Sequence, residues 1–225
     1  MAESSWFENA WKQREEGVYR EVFGDSEVPS RIYTLSHHTF EVRFAGQALD
    51  PRWLHHGILL FPPTESRRSW AYVSSGLSNA WEADFPEPEG LSGLGCEFVL
   101  ETPARCEWAI LQVQQVVAFQ LLLAAGRFEG RPLLDVGDRI PLHASIEPGR
   151  DSELTWLVVT SSESELSTPQ LSTGSLEFLR LVGISEAEAE FARKEGHNAL
   201  LELRRSNAAY PVTNSKRPSL VQGAV

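Results

Sequence analysis

Cysteine is scarce in this chain: only Cys96 and Cys106 stand among 225 residues, without C-x-x-C spacing. Two are too few for a disulfide framework, so a reducing, cytoplasmic setting is expected and both read as plain core or surface thiols. Positive charge is also short, with 20 Lys and Arg against 31 Asp and Glu and a net charge of -11. Nucleic acid and anionic membrane surfaces would repel such a chain, whereas a basic partner would be steered in; acidity of this size also serves solubility alone. Long apolar runs are missing. The longest, Val116 to Ala125, is broken by Gln120 and falls short of the roughly 20 residues of a membrane span. Met1 to Glu16 lacks the basic start and apolar centre of a signal peptide.

Catalytic and ligand-binding motifs are absent as well. There is no H-E-x-x-H and no close Cys/His spacing, so no metal is expected. The pairs His37-His38 and His55-His56, read as strand residues, would each offer at most one ligand to a site because strand neighbours face opposite ways. Gly90, Gly93 and Gly95 follow the order G-x-x-G-x-G and precede a strand, the reverse of a dinucleotide loop at a helix N-terminus. Neither G-K-[ST] nor G-x-S-x-G occurs. No cofactor follows. The enzymatic alternative is a histidine-centred site near His55 and His56, and a further alternative is an assembly or regulatory protein. Arg67-Arg68, Arg204-Arg205 and Lys216-Arg217 read as isolated solubilising pairs.

What is present centres on His56 to Ser78. Ile58 to Phe61 is a short apolar run closed by Pro62-Pro63, the mark of a strand buried on both faces. From Ser69 to Ser74, Trp70 and Tyr72 alternate with Ala71 and Val73, which predicts a neighbouring strand with two different faces. Upstream, Ser5 and Glu8 form a capping-box pattern for a first helix ending at Gly24, with Gly17 a point of bending. Arg31 to Leu35 and Thr39 to Phe44 read as a hairpin or broken strand. Downstream, Gly76 to Gly95 is a long loop, Cys96 to Glu101 a strand, and Arg105 to Ala125 a helix apolar nearly all round and therefore buried. Short strands and turns fill Gly126 to Gly149, with Gly137-Asp138 a turn before Arg139 to Leu142. Strands are expected over Leu154 to Thr160 and Leu176 to Ile184, separated by a Ser/Thr-rich loop. Ser185 caps an acidic helix, Glu186 to Lys194, and a second helix covers Asn198 to Arg205, their charges forming a solvated face. No repeat or linker divides the chain: residues 1–48 join a core of 49–220, and 221–225 form a mobile tail.

The loop W-E-A-D-F-P-E-P-E sets Trp81 and Phe85 among Asp84, Glu87 and Glu89. Exposed, these aromatics would suit a basic protein partner; the other possibility is that both rings fold back on the core.

Taken in order, Trp70-x-Tyr72, Ser75-Gly76-Leu77-Ser78, Ser92-Gly93-Leu94-Gly95-Cys96-Glu97, Trp108 to Phe119, Phe178 to Ile184 and Tyr210-Pro211-Val212-Thr213 resemble the suppressor-of-fused domain family. Phe61-Pro62-Pro63-Thr64 looks like its bacterial branch. The resemblance covers roughly Leu49 to Leu220. It departs at Asn214, where an aspartate is usual, and at Cys96, where an aromatic often sits. It implies an α/β (α+β) single domain with a mixed central sheet flanked by helices, acting as a binding module and not as an enzyme. Trp70, Tyr72, Gly76, Ser78, Gly93, Gly95, Glu97, Trp108 and Gly183 are its signature residues and are read as structural. Animal relatives hold Gli-type transcription factors between this domain and a C-terminal one. The chain is expected to end before that second domain, so no Gli-binding residue is carried over. Bacterial relatives are proposed to be immunity proteins that neutralise toxins, which implies a protein partner here, and the acidic charge fits a basic toxin.

Overall fold

The structure, a computed structural model, describes residues 3–27, 33–162 and 168–221. The predicted central pair is there: β2 (Gly57–Phe61) lies antiparallel to β3 (Trp70–Ser75), with Leu60 opposite Tyr72 and Leu59 opposite Val73. Period-two alternation then sends Leu60 and Tyr72 to one core and Leu59, Ala71 and Val73 to another on the opposite face. Among the described residues β1 (Tyr33–Thr34), β2, β3, β4 (Leu91–Thr102), β5 (Arg139–Pro141), β6 (Leu154–Ser161), β7 (Gln170–Leu171) and β8 (Gly174–Ser185) make one sheet. Its order is β1-β2-β3-β4-β8-β6-β5, with β7 beside β8. The β4–β8 pair is parallel and the others antiparallel, so the sheet is mixed.

Helix α4 (Glu107–Ala124) covers one face. It is apolar enough to resemble a membrane span by length and hydropathy, yet 67% of it is buried inside the protein. Its buried glutamines find carbonyls and amides: Gln112 donates to the Ile146 carbonyl (2.8 Å), Gln114 to those of Tyr33 and Thr34, and Gln120 accepts from Leu134 N (2.9 Å). The other face carries α2 (Tyr19–Phe23) at one end and α5 (Glu186–Glu195) with α6 (His197–Ser206) at the other.

Several expectations are corrected. Helix α1 (Glu3–Lys12) already includes Ser5, so that residue lies within the helix rather than ahead of it. The bend expected at Gly17 is a π-helical stretch, Gln13–Val18, and Gly24 does close α2 at φ 85°. Residues 37–44 are not a strand but α3 (His37–Phe44). Ser36 accepts from Thr39 N while Thr39 Oγ1 accepts from Ser36 N, and Phe40 and Phe44, one turn apart, stack on Trp53 and Phe119. His37 and His38 therefore sit exposed at a helix start, and His55 ends a 3-10 turn, Pro51–His55. Strand β4 begins at Leu91, five residues early, and its register against β8 shifts between Leu91 and Cys96 where Gly93 and Gly95 have positive φ. The charges of α5 and α6 are not all solvated: Glu188 and Arg204 are fully buried. Arg67 is no free surface charge either, since it donates to the carbonyls of Phe23, Pro62 and Ser69. Residues 31–32 of the expected first strand, part of the Ser/Thr-rich loop and residues 222–225 of the expected tail lie outside the described residues.

Candidate functional site

The Ser-Gly-Leu-Ser turn after β3 and the Ser-Gly-x-Gly-x-Glu start of β4 are two halves of one knot. Its centre is Glu97, fully buried. One carboxylate oxygen accepts from Gly76 N (3.0 Å), Ser78 N (2.9 Å) and Ser78 Oγ (2.7 Å), and the other from Ser74 Oγ (2.5 Å). Four donors to a buried carboxylate offset much of the cost of removing it from water. The turn passes so close to β4 that a Cβ on Gly93, at φ 57°, would lie 2.5 Å from the Asn79 carbonyl. Leu94 N donates to the Leu77 carbonyl (2.8 Å) and Ser92 Oγ to that of Ser78 (2.7 Å).

From the π-helical stretch, Arg14 reaches into the same knot. Its guanidinium donates to Ser78 Oγ (3.1 Å), Asn79 Oδ1 (2.6 Å) and Ser75 Oγ (2.9 Å), and it is 1% exposed. Tyr19 donates to the Ser74 carbonyl (2.7 Å), and burial, with Glu97 nearby, pushes its hydroxyl pKa well up. The knot fixes both ends of the segment between Asn79 and Leu91.

Beside that segment opens a cleft of about 550 Å³, walled by Trp53, His56, Trp81, Leu94 and Leu121. His56 is buried with its Cδ2 edge against Gly76, where an added Cβ would approach to 2.7 Å. Burial lowers its imidazole pKa to about 4, so it is neutral at neutral pH. Asp50 caps the 3-10 turn by accepting from Arg52 N (2.9 Å), and the Arg52 side chain pairs with Asp50 (2.6 Å) and Glu82 (2.7 Å). Hydrogen bonds from Arg52 hold the Asp50 carboxyl below its usual range.

The expected partner-binding residues separate into two groups. Trp81 folds back: its ring lies 4.6 Å from that of Phe7 and 6.4 Å from that of His55, and its Nε1 is buried without a partner. Phe85 stands out, 62% exposed, among exposed Asp84, Glu87 and Glu89. His55 and His56 diverge, His55 exposed and His56 buried. The signature residues have distinct packing duties. Tyr72 Oη accepts from Cys106 N (2.7 Å) at the start of α4, Trp108 is in the core, and Trp70 packs half-buried against it. A Cβ on Gly183 would lie 2.7 Å from Thr213 Cγ2, whose hydroxyl accepts from Gly183 N (2.9 Å). Sequence reasoning missed Arg14, which looks like any charge in an acidic helix, and missed Asp50 and Arg52, although Asp-Pro-x is a helix-start signal.

The family model for suppressor of fused protein matches residues 52–218, more than half of the chain. A search of curated proteins gives no match. A solved structure described as the Sufu-Fu complex is similar at TM-score 0.62 and 20% identity, over 92% of this chain and 89% of that one. A putative suppressor-of-fused homologue from Neisseria gonorrhoeae FA 1090 is similar at TM-score 0.64 and 14% identity, over 95% and 98% of the two chains. Drosophila Suppressor of Fused is similar at TM-score 0.57 and 22% identity over 73% of this chain, which spans 42% of that one. The likenesses to solved structures establish the fold, the matched residues include the Glu97 knot except Arg14 and Tyr19, and the chain belongs to the suppressor-of-fused family.

Proposed function

We propose that the chain is a cytoplasmic bacterial protein-binding module without catalytic activity, an immunity protein that neutralises a basic toxin by direct contact through the loop between Asn79 and Leu91. The observation that carries this reading is Phe85, an aromatic ring 62% exposed among three exposed carboxylates on a segment anchored at both ends. Aromatic side chains supply much of the energy at interfaces, and a loop held in place before binding loses less entropy on binding. The carboxylates and the net charge of -11 would steer a basic partner. The family supports a protein partner, since one similar protein was solved as a complex with Fu.

Affinity capture from the native host at low and moderate salt, with wild type and Phe85→Ala, tests the reading. A stoichiometric basic protein, held more tightly at low salt, released by the variant and toxic unless co-expressed with the wild-type chain, is expected. Undiminished capture by Phe85→Ala removes the loop, and a retained protein without toxicity removes the immunity role.

A further inference from the structure

We propose that the cleft beside the loop is a pocket for one cationic side chain, an arginine or lysine presented by a basic protein partner. This rests on reading the loop as the partner surface and names the group that would enter behind it.

The cleft, about 550 Å³, lies within the roughly 300–1,000 Å³ typical of ligand sites. Its walls suit a long basic side chain. Leu94, Leu121, Trp53 and Trp81 line it and offer apolar and aromatic surface to a long basic side chain. Three carboxylates line it, those of Asp50, Glu82 and Glu87, against one cation, Arg52. Arg52 is already committed to Asp50 and Glu82, and no ion pair or hydrogen bond engages the Glu87 side chain among the described residues. The C-terminal end of α4 also opens into the cleft at Ala124 and Ala125, with no basic residue in its last turn to offset the negative end of the helix dipole. An anion would meet all of these as repulsion.

Polar groups in the wall add to charge. His56 lines the cleft, is 1% exposed, and has the backbone of Arg52 and Trp53 within hydrogen-bonding reach of its ring. A neutral imidazole that donates from one nitrogen to backbone can accept with the other from an ammonium or guanidinium N–H. The buried Nε1 of Trp81 is a donor without an acceptor, and the backbone carbonyl of an inserted residue would supply one. A metal is not the matching occupant: among the described residues no group of three His, Cys, Asp or Glu is placed to hold one.

The test titrates the full chain with N-acetyl-arginine methylamide and with its neutral isostere N-acetyl-citrulline methylamide, following the indole N–H NMR signals of Trp53 and Trp81. A saturable shift is expected with the arginine probe at a Kd on the order of millimolar, as befits a fragment. The citrulline probe, and the arginine probe on the exposed-site variant Glu87→Gln, should each bind about tenfold more weakly. Equal binding of the two probes, or tryptophan signals unmoved by either, overturns the pocket. The two readings fail separately. A chain that binds the arginine probe but captures no basic protein keeps the pocket and loses the toxin; one that captures a basic protein through Phe85 with its tryptophans silent to the probe keeps the surface and loses the pocket.

Discussion

Glu97 and Glu188 are both fully buried, at opposite ends of this fold, and different donors satisfy them. Glu97 is held by neutral donors, two backbone amides and two serine hydroxyls, with the Arg14 guanidinium one hydroxyl away. Glu188 is held by charge. Arg217 donates to both of its oxygens at 2.6 Å, fully buried Arg204 lies at 3.4 Å, and Leu220 N adds a bond at 2.8 Å. The first arrangement shapes a turn and presents a cleft; the second fastens the C-terminal segment to α5. Each carboxylate takes two backbone amides, Gly76 N and Ser78 N at Glu97 and Ser185 N and Leu220 N at Glu188, so what separates them is two serine hydroxyls at the first and two guanidiniums at the second.

The largest effect should come from the charged end. Glu188→Ala strands two guanidiniums in the interior and should cost about 3 to 5 kcal/mol in urea unfolding, the range for breaking a buried pair. A cost near zero would mean that the C-terminal segment detaches without consequence and that the two ends do not differ as described. At the neutral end, Arg14→Ala removes donors from Asn79 and two serines and should cost about 1.5 to 3 kcal/mol. It should also move the Trp81 fluorescence, because α1 carries Phe7 against that ring.

Acid should separate the ends by pH window. Burial lowers His56 to about 4 from an ordinary 6.5. The unfolded chain therefore binds the extra proton first, and stability present above about 6.5 falls as pH drops toward about 4. Burial opposes ionisation of Glu188, but the hydrogen bonds and charge of Arg217 outweigh it and hold its carboxyl below the ordinary 4.5. Its contribution is present above that value and is lost as pH falls through the folded pKa. His56→Gln should reduce the first slope, with the remainder coming from His197, whose pKa burial also lowers, and leave the second; Glu188→Gln should do the reverse. Urea midpoints measured from pH 7 to pH 3 decide it; a single slope abolished by either variant would merge the two ends.

Local pattern made much of the fold legible. The alternation through Trp70–Ser75, the all-round apolar character of α4 and the Ser185 cap are each written within a few residues, and all three formed as expected. Helix α3 was misread because Thr39, Val42 and Phe44 favour strands by type, while the capping pair and the four-residue spacing of Phe40 and Phe44 favour a helix. The knot was only half legible. Its glycines and serines stood out as a signature, but Arg14 joins Ser78 across 64 positions, and Glu188 is bonded to Arg217 across 29. No window of sequence holds such pairs together. The acidic aromatic loop was visible, but not that its two rings part ways.

That parting supports the finest prediction at the cleft end. Phe85 buries little, so Phe85→Ala should change stability by no more than about 0.5 kcal/mol. Trp81→Ala, which loses the Phe7 contact and one wall of the cleft, should cost about 1 to 3 kcal/mol and reduce the tryptophan signal used to follow binding. If the loop is the partner surface, Phe85→Ala combines native stability with lost capture, a pairing that a structural role for the ring would not give. Equal destabilisation by the two variants would show that Phe85 packs in solution as Trp81 does, and the neutral knot would then be organising a core rather than a surface.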